Sequence, residues 1–260
     1  MKHIIQHFLS FVTRCLLGIL RGFEILRHKI LRILRTIDIY LSGEECLTLR
    51  DCALLVKLCE RQPPGSDRFL EYPWMIEHIP QRTQHLLDVG STIAPMLRDL
   101  LPQTINISAI DFSDRKQPCS AIQYVHGDIR QTSFHDTTFD CITCISTLEH
   151  IGVAGRYGCD NDPDGDLKAM VEMHRILQPN GTLLLTVPYG IRDVLPINKL
   201  YTEARLQALF ENRFTVTSIT YKKFSTKWKY WFSVSEQEAA KTDMLQDRWY
   251  AIALIELQRV

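Results

Sequence analysis

The chain has 260 residues, 45% of them hydrophobic and 23% charged, with a formal net charge of zero. That is the composition of a globular protein long enough to bury a core, with room for one further segment. Eight cysteines in a chain of this length do not describe a disulfide scaffold, and reduced thiols in a cytoplasmic compartment are expected.

The neutral total hides an asymmetry. Residues 1–36 carry Lys2, Arg14, Arg21, Arg27, Lys29, Arg32 and Arg35 against one acid, Glu24, so this arm is at +6 and the remainder at −6. A basic arm on an acidic body suggests separate roles for the two parts. Residues 1–40 have helical periodicity. His3, His7, Ser10, Arg14, Gly18, Arg21, His28, Arg32 and Arg35 form one polar stripe, and most of the rest is Ile, Leu, Phe or Val. As a helix the arm would run roughly 50 Å. Its wide apolar arc needs a cover. One reading docks it on its own domain or on a second copy, as a homodimer. The other lays it on an anionic membrane, peripherally at the inner face, with its basic side chains at the headgroups. Nucleic acid is not expected as a partner, because the body is acidic. The longest apolar stretch, FLSFVTRCLLGIL, is interrupted by Arg14 and falls short of the ~20 residues needed to span a bilayer. No small-residue cleavage site follows it, so a signal peptide is not expected either.

Residues 41–84 read as a helical lead-in. GEECLTLRDCALLVKLCERQ has helical spacing, PPGSD breaks it, and RFLEYPWMIEHIP is a packing segment with Trp74 and Met75 in the core. From residue 85 the pattern alternates. HLLDV is a strand, APMLRDLL a helix, NISAI a strand ending at Asp111, and IQYV a strand after a short connection. FDCITCIS, the helix DLKAMVEMHRIL and the apolar strand TLLLTVP follow. Near-continuous apolar strands alternating with helices predict a parallel sheet covered on both faces. YTEARLQALF then reads as a helix, and FTVTSITY and RWYAIALIEL as an antiparallel finish. Cys141 and Cys144 have CxxC spacing but lie on a strand, where side chains three apart face opposite ways, so shared zinc ligation is not expected. Ligands of such open sheets bind outside the carboxyl ends of the strands. Asp88, Gly90, Asp111, Asp128 and Ser146 all stand there.

LLDVG, AIDFS, GDIRQTSFHDTTFDCITCISTLEHIG and EMHRILQPNGTLLLTVP together resemble class I S-adenosylmethionine-dependent methyltransferases of the type 11 kind, over about residues 85–257. More narrowly, EHIGVAGRYGCDNDPDGDLKAM is similar to a subgroup that includes methyltransferase-like proteins of bacterial polysaccharide gene clusters. The resemblance implies a Rossmann-like, seven-stranded, mostly parallel sheet with an antiparallel last strand and helices on both faces. It implies S-adenosylmethionine as cofactor. Asp88, Gly90 and Ser91 would lie by its methionine part and Asp111 by its ribose. Asp128 would accept from the adenine amino group, Phe112 and Ile129 would lie on the ring faces, and Ser146 would lie at the next strand end. Where this family commonly has a second and third glycine, the chain has Thr92 and Ala94, then Pro95. The loop then either holds a side chain in a left-handed conformation, at a cost of about 1–2 kcal/mol, or keeps to negative φ. Ser91 and Thr92 are candidate caps for the helix that follows, and Pro95 suits its first turn.

For the acceptor, Glu149 and His150 follow the fourth strand. His150 is the candidate base, if it does not merely cap or pack. Arg156, Tyr157, Asp166 and Tyr189 are candidate acceptor contacts, and Arg192 follows Tyr189 within reach of the same place. Asp160, Asp162, Asp164 and Gly165 imitate half of a calcium loop. Position twelve is Val171 and Glu172 comes one residue late, so no metal is expected, and Asp164 or Asp166 is read as a helix cap. Residues 222–248 form a long connection with the character of a lid. Its Trp228, Tyr230 and Trp231 interleave with Lys227 and Lys229, either to stack on a sugar or base or to anchor the lid. Three functions follow from this reading. They are methyl transfer to a small-molecule or glycan-type acceptor, a catalytically inactive scaffold held by its N-terminal helix, and a nicotinamide-dependent dehydrogenase. The last fits worst, for want of GxGxxG.

Overall fold

The computed structural model describes residues 66–91, 93–114, 119–155, 157–158, 160–226, 230–247 and 249–260. The N-terminal arm, most of the lead-in, Thr92, Arg156 and Trp228 lie outside the described residues. The chain divides into two compact units, the first comprising Met1–Pro73 with Trp228–Tyr230 and the second the remainder. In the first, Arg68 pairs with Glu71 and its guanidinium lies 5.6 Å from the Tyr72 ring centre. The helix Arg68–His78 carries Pro73 inside it, and Met75, on the second unit, is fully buried.

The second unit is an α/β domain built on one mixed sheet of eight strands. These are β1 (His85–Val89), β2 (Asn106–Asp111), β3 (Gln123–His126), β4 (Phe139–Ile145), β5 (Leu177–Tyr189), β6 (Phe214–Ser225), β7 (Tyr230–Val234) and β8 (Ala251–Arg259). Their order is β3-β2-β1-β4-β5-β8-β6-β7. β1 to β5 pair in parallel, and β8 runs antiparallel to both of its neighbours. The expected seven strands become eight because the supposed lid contributes β7. It also contains two single-turn helices, Glu236–Ala239 and Met244–Asp247, the first closed by a capping box from Ser235 and Glu238.

Side-chain alternation along the strands sorts the two faces. Leu87, Val89, Ile142 and Cys144 join the main core cluster, with Ala169, Met170, Met173 and Ile176 from the helix Gly165–Ile176 and Leu206, Leu209 and Phe210 from the helix Glu203–Phe210. Those spacings put one apolar stripe of each helix on the sheet. Asp88 and Thr143 point to the other face, which carries the helix Ala94–Leu100. Cys141 and Cys144 are both fully buried, and only Cys144 belongs to the main cluster, as the alternation requires. β5 runs between β4 and β8 under cover on both sides, so Leu183, Leu184, Leu185, Val187 and Tyr189 are all fully buried. Between β2 and β3 no helix lies among the described residues. Nor is any described helix long and apolar enough to cross a membrane.

Candidate functional site

The order β3-β2-β1-β4 brings four strand tips side by side. Gly90 follows β1, Asp111 ends β2, Asp128 stands two residues beyond β3, and Ser146 follows β4. A cleft of about 780 Å³ lies at the other end, where His85, Asn106, Gln123 and Phe139 begin their strands. Open parallel sheets bind ligands at carboxyl ends, so the tips and not that cleft form the candidate site.

The loop after β1 is shaped from within. Asp88 is fully buried, and its Oδ2 accepts from the backbone N–H groups of Ile93 (3.1 Å) and Ala94 (2.8 Å) while Thr143 Oγ1 donates to its Oδ1 (3.1 Å). One oxygen is thus engaged by the loop and the other by β4. Asp88 organises the loop and presents no surface to a ligand, which corrects its reading as a direct contact. It also does the capping expected of Ser91, since the N-cap residue Ile93 has no side-chain cap. Burial pushes the Asp88 carboxyl up to about 6, against the pull of its three hydrogen bonds.

A carboxyl with a raised folded pKa favours the protonated fold. Between about pH 4 and 6 the unfolded chain has lost this proton and the folded chain keeps it, so this group's contribution falls as pH rises, by about 3 kcal/mol across the window. Asp88→Asn still accepts from the two N–H groups and is expected to remove that slope. Urea unfolding of both proteins from pH 4 to 7 measures it, and parallel pH profiles would exclude this role.

Gly90 sits at φ +91°, and a Cβ there would fall 2.5 Å from Thr147 Oγ1. Thr147 in turn donates to Ile145 O (3.0 Å) and Val89 O (3.3 Å), tying the β4 tip to the β1 tip. Sequence reasoning missed this residue, and its position beside Ser146 was the only signal for it. Ser91 takes the left-handed route at φ +51°, and its buried hydroxyl reaches no hydrogen-bond partner. Of the two routes the sequence left open, the chain thus takes the one that places a side chain at positive φ, at Ser91. Asp111 Oδ1 accepts from Ser113 N (2.8 Å) and Ser113 Oγ (2.6 Å), a local turn that leaves it part-exposed at the β2 tip, and Phe112 beside it is exposed.

The β3 tip departs from expectation. Arg130 grips both oxygens of Asp128, at 2.6–3.1 Å, and its Nη1 reaches Asp162 Oδ2 at 2.9 Å. Burial alone would raise the Asp128 carboxyl, yet the Arg130 hydrogen bonds and charge hold it below the usual carboxylate range. Asp128 is therefore committed to a strap running through Asp162 to Lys168, not held open for an adenine amino group. Asp162, the middle of the calcium-like run, already answers two cations. Ile129 is turned into the core cluster and does not lie on a ring face. Ser146, at φ +43°, donates its N–H to Thr186 O and Oγ1.

On the acceptor side, Leu148–His150 form a single 3-10 turn. His150 Nδ1 lies 3.1 Å from Ile197 O, which can only accept, so Nδ1 carries the proton and Nε2 the lone pair in the neutral ring. Nε2 is 3.7 Å from Glu149 Oε1, and exposed Tyr157 packs on the imidazole at 5.3 Å between centres. The structure thus brings His150, Glu149 and Tyr157 together. Two other candidates are corrected. Asp166 is buried, and its carboxylate meets Lys199 Nζ (2.8 Å), Tyr201 Oη (3.1 Å) and Arg205 Nη2 (3.5 Å), so it is the centre of an internal ion cluster. Tyr189 is fully buried, and its hydroxyl donates to Glu236 Oε1 at 2.7 Å. Asp164 occupies the N-cap of Gly165–Ile176 without a side-chain bond, while Asp166 Oδ1 accepts from Leu167 N. Arg192 is paired with Asp243.

The family model described as Caenorhabditis protein of unknown function, DUF268, matches residues 103–257, more than half of the chain. The chain belongs to this DUF268 family. No curated protein matches it. Among solved structures it is similar to the N-methyltransferase NodS from Bradyrhizobium japonicum WM9, in complex with S-adenosyl-L-homocysteine. The TM-score is 0.52 and the identity 16%, over 78% of this chain and 90% of that one. A SAM-dependent methyltransferase from Methanosarcina mazei matches with a TM-score of 0.50 and 15% identity, over 73% of this chain and 98% of that one. At such identities the likeness is one of fold: this DUF268 chain has the Rossmann-like architecture of the class I methyltransferases. The eighth strand and the Arg130 strap describe this chain itself.

Proposed function

We propose that this DUF268 protein binds S-adenosylmethionine and transfers its methyl group to a small-molecule or glycan-type acceptor, such as a sugar of bacterial polysaccharide assembly. The observation that carries the reading is the row of tips on β3, β2, β1 and β4, with Gly90 at positive φ and Asp111 part-exposed at its strand end. The buried Ser91 hydroxyl without a partner is the kind of polar group a bound cofactor satisfies. Ser91, Asp111 and Phe112 would hold the cofactor, which supplies an electrophilic methyl group. Methyl transfer is an in-line displacement, so the residues act chiefly by positioning and by excluding water. His150, with its Nε2 lone pair set by the Ile197 carbonyl, would take the proton of a hydroxyl or ammonium acceptor.

Calorimetry with S-adenosylmethionine tests this. Asp111→Ala is expected to weaken binding roughly 10- to 100-fold, the effect of losing charge-assisted hydrogen bonds. No detectable heat at millimolar cofactor would overturn the reading. It would leave the second one, an inactive scaffold, which is favoured by the commitment of Asp128 to Arg130.

In either case we place the protein in the cytoplasm, at an anionic membrane face, through its basic residues 1–36. Anionic liposomes should co-sediment with the full chain and not with a chain lacking those residues. Equal sedimentation of both would leave the arm to self-docking or to a homodimer.

A further inference from the structure

A second cleft, of about 360 Å³, opens between the end of β6 and the start of β8 and is lined by Phe224, Phe232, Trp249, Tyr250 and Thr242, among others. Its walls are aromatic and ordered. Trp249 and Tyr250 are nearly parallel, 16° apart with centres at 6.1 Å, and Phe224 lies 4.6 Å from Trp249 and 5.3 Å from Trp231. Two polar groups of its lining, and one behind it, are unsatisfied. Thr242 is fully buried and its hydroxyl reaches no hydrogen-bond partner, nor do the indole N–H groups of Trp249 and of Trp231 behind it. Buried donors without acceptors cost free energy, and three in one cluster mark a place that something else completes. Lys223 and Asp247 bring one charge of each sign to the rim.

We propose that this cleft binds a pyranose ring of a carbohydrate. A sugar presents an apolar C–H face to an aromatic wall and hydroxyls that both donate and accept, which is what Thr242 and the Trp249 indole of the lining lack. A lipid chain would leave those groups unsatisfied, and a nucleotide phosphate would want more than one cation beside Asp247. The volume is near the lower bound for small-ligand pockets, about 300 Å³, and suits one ring. Placement agrees. β6 is parallel to β5, so its end at Ser225 lies at the same end of the sheet as Gly90, Ser146 and His150. Thr242 O also accepts from Ile191 N (3.0 Å), which joins the cleft to the segment that follows β5 and holds His150 through Ile197. The proposal rests on the glycan reading above only in making this sugar part of the acceptor.

The test is titration of the full chain with N-acetylglucosamine, mannose, maltose and cellobiose, with inorganic pyrophosphate and octanoate as controls, followed by tryptophan fluorescence. At least one saccharide should quench saturably in the millimolar range. Thr242→Val should weaken it about 3- to 10-fold, the loss of one hydrogen bond, Thr242→Ser should retain it, and Trp74→Phe should lower the signal without moving the midpoint. Quenching by none of the four, binding of pyrophosphate or octanoate instead, or an unchanged midpoint in Thr242→Val would overturn the proposal. Saccharide binding by a chain that gives no heat with S-adenosylmethionine would remove the transfer reaction and leave this site standing, while heat without saccharide binding would do the reverse.

Discussion

Asp166→Ala is expected to lower the unfolding free energy by about 3–5 kcal/mol, the cost of leaving a buried charge without its partner. Lys199 is only 5% exposed, and without Asp166 its ammonium keeps the Pro163 carbonyl at 3.0 Å as its sole described acceptor. Tyr201 and Arg205 lose the same carboxylate, although Arg205 retains Asp193 at 2.9 Å. The charge can be removed in two ways, and the pair discriminates. Asp166→Leu combined with Lys199→Met replaces both ions by apolar groups of similar size and should recover most of the loss. Urea unfolding at pH 7 with a fixed m-value measures both. A single variant within about 1 kcal/mol of the wild type would mean that Lys199 finds water, and that the cluster is no core element.

Gly152→Ala is expected to cost about 3 kcal/mol or more. Gly152 sits at φ +76°, and a Cβ there would fall 2.0 Å from the backbone oxygen of Asp162 and 3.2 Å from Gly165 Cα. Strain at positive φ and overpacking against backbone each cost about 1–3 kcal/mol, and here neither can relax cheaply. Asp162 is bonded back to Gly152 and is also the middle of the Arg130–Asp162–Lys168 strap. The variant should therefore loosen the β3 tip as well as the loop, and amide exchange should quicken around Arg130 along with residues 151–165. Loss of stability with no change at Arg130 would uncouple the two.

The alternation of strands and helices was legible because burial on both faces forces near-continuous apolar runs, and the strand ends at Val89, Asp111 and Ile145 were read to within a residue or two. What lay outside reach was set by distant partners. Nothing near Asp166 announces Lys199, 33 residues on, and so an internal ion looked like a polar contact. Asp88 looked like a ligand contact because an acid at a strand tip reads the same whether it faces out or back into its own loop; the helix start that claims it lies in the fold, not in its neighbours. Tyr189 resembled a loop residue because β5 runs on through Pro188, which an edge-minded reading takes as a stop. Ile129 fell to the core for a similar reason, its neighbour Asp128 being pinned by Arg130. β7 was hidden because YWFSV is short, buries only Trp231 and is flanked by polar chain, which is how a lid would also read.

The placement of β8 bears on how the domain comes together during synthesis. Residues 251–259 lie between β5 and β6, yet they are made after both. While they are still inside the ribosome, the edges of β5 and β6 have no mates there, and each is a row of amides and carbonyls open to a wrong neighbour. The β1–β4 half carries its own pairings and can assemble earlier. Until β8 emerges this half of the sheet lacks its central strand, and a chaperone holding apolar ribbons would act there.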